Sequence, residues 1–450
     1  MVVVSFILRR FLFWKQWNPF NRLECFELQL KLLIFVGLWP STDGTPTSII
    51  GYRIYGWCFR IVFMYLYTLS QILYFLKVDN LLSVAQAMFL LMTQITLIWK
   101  LENFNYKIER IQKCLRKVSC VLYDPLNYAE QRAVSNSMGR IWFLVTLLLA
   151  MAYGTISFWA ISPLLKKDGN LPVQAWFPID HRHSLAVYML LWFYQIFGIG
   201  MSATYNVSTD TLASGLIYHL QAQTKRLGIL LSKMGSENSM RISEKLPKSN
   251  ENIDAECDLC NEVSSKRADI DQLSKHHGQT YGCLVELVIF HRNLLGFQHE
   301  LIDIFGLSIY AQVIASVIII CMTAFLLTEG SNFVAIFSAF SYLITMVWQI
   351  FLYCLAGNDF TYSTDKLSER AMFSNYVCFN RTTAKAFLFF LTRIKRQSDF
   401  KVGFILPFTL SFSSFILVRN CPILIYEPLR FNWFIVSDLE NIIFILRCSE

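Results

Sequence analysis

Apolar residues gather into seven runs, at 54–76, 81–99, 141–161, 184–206, 307–327, 333–355 and 402–418, with charged and polar segments between them. A hydrocarbon core about 30 Å thick takes roughly 20 residues of helix, at about 1.5 Å each. The first six runs meet that length, and the seventeen uncharged residues of the last just cross it. None alternates at period two as the strands of a membrane barrel do. The pattern predicts seven transmembrane helices. Arg60 lies inside the first run near one end, from which a long side chain can snorkel to the interface.

The polar segments set the orientation. Before, between and after the first six runs, up to the seventh, Lys plus Arg number six, one, eight, three, ten, zero and eight. Cytoplasmic loops carry the basic excess, so the N-terminus is expected inside the cell and the C-terminus outside. The expected fold is an all-α membrane protein with cytoplasmic anchor helices. Its parts are a cytoplasmic N-terminal segment (1–53), six spans (54–355) with a long cytoplasmic loop at 207–306, a cytoplasmic helix and anchor (356–401), the seventh span (402–418) and a C-terminal tail (419–450). This orientation is the reverse of a G-protein-coupled receptor. No Asp-Arg-Tyr follows the third span and no Asn-Pro-x-x-Tyr lies in the seventh.

Composition agrees. Of 450 residues, 54% are hydrophobic and 16% charged, against about 25% charged in soluble domains. The mean hydropathy is +0.42. The start at 2–8 is too short for a secretory signal and has no basic residues before it. The twelve cysteines are scattered rather than framed as disulfides, and are expected to act as small buried residues.

The loops add detail. Residues 281–306 carry apolar residues at helical spacing and predict an amphipathic continuation of the fifth span; 364–394 predicts a second such helix. Their apolar faces are expected to meet a partner subunit or to pack within the chain. Residues 233–265 are polar and poor in aromatics, and are expected to be disordered or extended. The segment LPVQAWFPID (171–180) is expected either to fold over the mouth of the bundle or to anchor Trp176 and Phe177 among headgroups.

Candidate chemistry is sparse. Cys257 and Cys260 with His276 and His277 make a weak zinc pattern, because adjacent histidines rarely reach one ion; no metal is expected. Asn206-Val-Ser and Asn380-Arg-Thr match glycosylation acceptors, but the topology keeps both from modification. There is no phosphate loop and no hydrolase constellation, and acidic groups or Lys at mid-membrane, as an ion-coupled transporter keeps, are nearly lacking. An enzyme, a cofactor and a nucleic-acid partner are not expected. What the spans offer is aromatic surface in the half toward the outside: Phe89, Phe158, Trp159, Tyr188, Trp192, Tyr194, Phe337 and Tyr342. Together they would suit a small hydrophobic ligand; singly, each is better explained by helix packing or interfacial belting. In the last run Thr409 and Ser413 share a helical face, which either lines a pore or bonds back to its own carbonyls.

The segments GLWP (37–40), LPVQAWFPID (171–180), LSERAMFSNYVCFN (367–380) and LTRIKRQSDFKVGFILPFTLSFSSFI (391–416) resemble those of the insect odorant receptor family, across most of residues 25–416. The resemblance implies an odorant-gated cation channel in the plasma membrane of olfactory neuron dendrites. It implies a ligand-tuning subunit in a heterotetramer with a shared co-receptor, and a small hydrophobic volatile ligand bound among the outer halves of helices two, three, four and six. It also implies a pore lined by the last helix, for which Thr409, Ser413 and Ile416 are the candidates. Two alternatives are a gustatory receptor of the related class and a non-gated membrane transporter. The chain departs from the pattern at Tyr376, where the family usually has Trp, and after Ile416, where Pro422 and Pro428 preclude one continuous helix. That tail is either a read-through product or a genuine extension.

Overall fold

The computed structural model describes residues 26–39, 46–78, 81–118, 128–166, 171–178, 184–236, 266–329, 333–395, 401–402 and 406–407. The elements are α1 (Glu27–Phe35), α2 (Pro46–Arg60), a π turn (Ile61–Tyr65), α3 (Leu66–Phe75), α4 (Leu81–Tyr106), α5 (Ile108–Val118), α6 (Tyr128–Lys166) and α7 (Leu185–Ser232). They continue with α8 (Arg267–His277), α9 (Gln279–Glu329), α10 (Phe333–Met372), a 3-10 turn (Tyr376–Cys378) and α11 (Arg381–Lys395). Among the described residues, six helical stretches are long and apolar enough to cross a membrane, and they contain the cores of the first six predicted spans.

Four of these helices are far longer than a membrane requires. α6, α7, α9 and α10 have 39, 48, 51 and 40 residues. At about 1.5 Å per residue each is roughly twice the length of a 30 Å core. Because they alternate in direction, the N-terminal parts of α6 and α9 project at the same end as the C-terminal parts of α7 and α10. We call this the extended end. Here α7 is central: from Val207 to Leu231 every residue is buried except Lys225 and Ile229. That stretch is too polar for a lipid-facing helix and too enclosed for a solvated one. It is the axis of a helical bundle formed with α1, α6, α9 and α10.

Two apolar cores result. The larger fills the extended end around Phe26, Leu33, Leu216, Tyr218, Phe290 and Leu367. The smaller lies toward the opposite end, around Tyr67, Phe89, Trp159, Ile319 and Tyr342. The short segment 171–178 folds back against this second core. Gln195 of α7 holds both the N–H (3.2 Å) and the carbonyl (2.9 Å) of buried Val173, and Trp176 N donates to Ser70 O at 3.0 Å. The folded-over alternative is therefore the observed one for 171–178.

The expected continuation of the fifth span at 281–306 is present, as one helix with it; two other boundaries depart from expectation. The stretch 364–394 is not one helix: α10 stops at Met372, and the chain turns before Asn380 Oδ1 accepts from Arg381 N (2.8 Å) at the start of α11. Lys401–Val402 (β1) and Leu406–Pro407 (β2) pair as a two-residue antiparallel ladder, so these residues stand outside the helix expected from 402. Leu406 precedes a proline, which disfavours the helical region for it. Residues 408–418, most of the seventh span, lie outside the described residues, as do 237–265, the tail 419–450, and Cys257 and Cys260.

Candidate functional site

Helices α4, α6 and α10 each contribute one large ring to the smaller core. Phe89 meets Tyr342 with centroids 5.0 Å apart, and Trp159 stacks on Tyr342 at 5.6 Å. All three are buried, and Tyr67 of α3, Ile199 of α7, Ile319 of α9 and Val173 belong to the same cluster. The polar atoms of Tyr342 and Trp159 are paired inside it. Thr93 Oγ1 donates to Phe89 O at 2.9 Å, which leaves it to accept from Tyr342 Oη at 2.5 Å. Trp159 Nε1 donates to Ser338 Oγ at 2.5 Å. The arrangement is an apolar cluster with two hydrogen-bonded polar groups.

The other predicted aromatics are dispersed around this trio. Phe158 packs against the cluster and pairs with Phe337 at 4.8 Å, while Phe337 is 44% exposed. Trp192 Nε1 donates to Ala160 O at 3.2 Å, tying α7 to the end of α6. Tyr188 is half-buried on the first turn of α7, and neither Tyr188 nor Trp192 belongs to the buried cluster. Tyr194 packs against the cluster and donates to Val62 O in the π turn at 2.7 Å. Tyr67, Gln195 and Met346 were not singled out from sequence. Only the glutamine carried a signal, as an amide inside an apolar run. Thr409, Ser413 and Ile416 lie outside the described residues.

A second, polar centre lies where the spans pass into the extended end. Lys100 Nζ donates to Asp210 Oδ1 (2.7 Å) and Oδ2 (2.9 Å) and to Asn206 Oδ1 (2.8 Å). Gln349 Nε2 also donates to Asp210 Oδ2, and Gln312 Nε2 donates to Gln349 Oε1 at 3.3 Å. Both charged side chains are almost fully buried. A cleft beside them is lined by Lys100, Asn103, Thr209, Asp210, Ser308 and Tyr353. Deeper in the extended end, Arg226 Nε donates to Glu130 Oε2 at 2.8 Å in full burial. Sequence reading places Lys100 and Asp210 just beyond two separate spans, with nothing to indicate that they meet. The cleft is ion-paired, whereas the trio is apolar.

The 7tm Odorant receptor family model matches residues 80–420. Odorant receptor Or1 of Anopheles gambiae is 42% identical over 406 residues, which are 90% of this chain and 94% of that one. Odorant receptor 94a of Drosophila melanogaster is 19% identical over 85% of this chain and 91% of its own. Among solved structures, the insect olfactory receptor OR5 from Machilis hrabei has the same fold, with a TM-score of 0.72 at 13% identity over 90% of this chain and 99% of that one. The same receptor in complex with eugenol gives 0.70 at 13% identity, over 88% and 96%. A family match across most of the spans and a close relative along nearly the whole length place this chain in the odorant receptor family.

Proposed function

We propose that this chain is the ligand-tuning subunit of an odorant-gated cation channel, working in a heterotetramer with a shared co-receptor at the plasma membrane of olfactory dendrites. The observation that carries the reading is the buried Phe89–Trp159–Tyr342 trio in a chain of this family. The ligand is a small hydrophobic volatile bound at the trio, with Phe158, Phe337, Tyr188 and Trp192 at its rim. The solved OR5 structure with eugenol supports a ligand site in this fold.

The basic segments support an orientation with the extended end in the cytoplasm and the trio toward the outside. In that orientation the pore is lined by the seventh helix, with Thr409, Ser413 and Ile416 as its candidate residues. α10 is the element suited to couple the two. It carries Tyr342 in the trio, Gln349 on Asp210, and Asp359, which accepts from Arg140 Nη1 at 2.8 Å, before α11 leads toward residue 401. A ligand opens the channel only by as much as it binds the open arrangement better than the closed one. The family match at 80–420 favours this reading over a gustatory receptor or a non-gated transporter.

The test is co-expression with the co-receptor and current recording under a panel of small volatiles. Odorant-evoked cation currents are expected. A surface-expressed chain that yields none with any volatile, while the co-receptor itself opens to a direct agonist, overturns the proposal.

A further inference from the structure

Arg60 is a charged residue inside a membrane-spanning segment, and it is only 6% exposed. Its Nε donates to Gly56 O at 3.1 Å, and its guanidinium lies 4.3 Å from the centroid of the Trp57 ring. Among the described residues nothing accepts from Nη1 or Nη2, and no carboxylate is paired with them. Glu102, the acid of this region, is bonded instead by Tyr65 Oη at 2.5 Å. The residue is enclosed, but its two terminal nitrogens are not among the fully buried unpartnered atoms, so they reach the protein surface, where an anion can meet them.

Its depth says which anion. Residues 61–76 contain no charge, and Lys77 follows, with its ammonium 3.8 Å from the centroid of Trp176. Sixteen helical residues span about 24 Å, and the Arg60 side chain reaches a further turn outward to Gly56 O, which together approach a core about 30 Å thick. Arg60 and Lys77 therefore bracket that core, which sets Arg60 at headgroup level at the extended end. Its neighbours have the composition of an interfacial belt. Trp57 is 53% exposed, and Tyr52 and Tyr55 donate to Ile34 O (2.9 Å) and Phe35 O (2.8 Å). The π turn begins at the next residue, and such widened turns recur at functional sites.

We propose that Arg60 is a binding site for a membrane phospholipid. Nη1 and Nη2 take the phosphate in the bidentate geometry a guanidinium offers, and the exposed faces of Trp57, Tyr55 and Ile61 lie along the glycerol and upper acyl chains. The lipid thereby completes the wall between α1, α2 and the π turn.

The full chain, purified in detergent, is heated with dioleoylphosphatidylcholine, dioleoylphosphatidylglycerol, dioleoylglycerol or inorganic phosphate. Both phospholipids are expected to raise Tm by about 2–4 °C, and dioleoylglycerol and inorganic phosphate are not. Arg60→Gln is expected to lose the shift and Arg60→Lys to keep part of it. An equal shift with dioleoylglycerol, or a full shift in Arg60→Gln, overturns the site, since Arg60 then only reaches water. A full shift with inorganic phosphate alone makes it a free-anion site and overturns the lipid assignment. Should the variants not fold, the unmutated chain in vesicles of headgroup-photoactivatable phosphatidylcholine decides. Adducts within residues 52–61 are expected, and labelling that omits them sinks the proposal.

Discussion

Asp210 accepts from an ammonium and an amide while shut away from water, so its charge is tolerable only with those partners present. Removing one member of a buried ion pair costs about 3–5 kcal/mol, whereas replacing both with apolar groups of similar volume is often near neutral. Asp210→Ala is therefore expected to lower Tm sharply, and the double change Lys100→Met, Asp210→Leu to restore most of it. Equal losses in the single and double variants would refute the pair as the cause. At the trio, Tyr342→Phe deletes only the hydroxyl on Thr93, a bond worth about 0.5–1.5 kcal/mol. For a polar odorant that draws on this handle, the dose–response midpoint should move roughly two- to tenfold; for a pure hydrocarbon it should stay. A uniform shift across both classes would show that Tyr342 acts through packing alone. At this scale sequence identified Phe89, Trp159 and Tyr342 as aromatic surface, because apolar rings inside spans are visible one at a time. It did not reveal that these three meet and that Trp192 stands apart, since that depends on helix rotation, which no run of residues encodes.

Helix existence was legible from apolar runs, but helix length was not. The runs end where lipid contact ends, at about residue 206 for α7, yet the helix continues to Ser232 because protein replaces lipid around it. Its polar residues bond inward instead of breaking the helix: Thr211 to Val207 O, Ser214 to Asp210 O, Thr224 to Leu220 O. The stop is made by Gly235, whose φ of +81° suits glycine. A Cβ there would lie 2.7 Å from Asn375 O, at the junction where Asn375 N donates to Met234 O at 3.1 Å. Gly235→Ala combines a left-handed cost of about 1–2 kcal/mol with that clash. It should loosen the turn between α10 and α11, read as faster protease cleavage within residues 373–380. Unchanged cleavage there would mean that the junction does not hold the turn.

For the molecule as a whole, the orientation across the membrane and the partner surface both turn on the extended end. The cysteines report the first. Cys378 is exposed on the 3-10 turn of that end, whereas Cys114 of α5 is buried. Burial, aided by the nearby Glu300 carboxylate, pushes the Cys114 thiol up to about 12, so it stays protonated and unreactive through the neutral range. A membrane-impermeant maleimide, read site by site by mass, should label Cys378 only after cells are permeabilised and leave Cys114 unmodified in both conditions. Labelling of Cys378 on intact cells would reverse the orientation drawn from Lys and Arg.

The same turn and α11 present Phe373, Leu388, Val377 at 80% exposure and Phe389 at 77%. Apolar side chains this exposed, at an end that the orientation above sets in water, are unfavourable for a lone chain, and contiguous patches of this kind mark protein interfaces. Phe379 and Phe387, edge-on at 5.3 Å, hold α11 against the turn, so the exposed residues are displayed on a fixed support rather than on a loose segment. Substituting Val377 and Phe389 with Glu removes little intrachain burial, so the chain's own Tm should hold. It places two carboxylates against whatever apolar surface covers them, and capture of the co-receptor and the odorant-evoked current should fall together. A chain so altered that still co-purifies with the co-receptor at full yield would move the subunit contact elsewhere on the molecule.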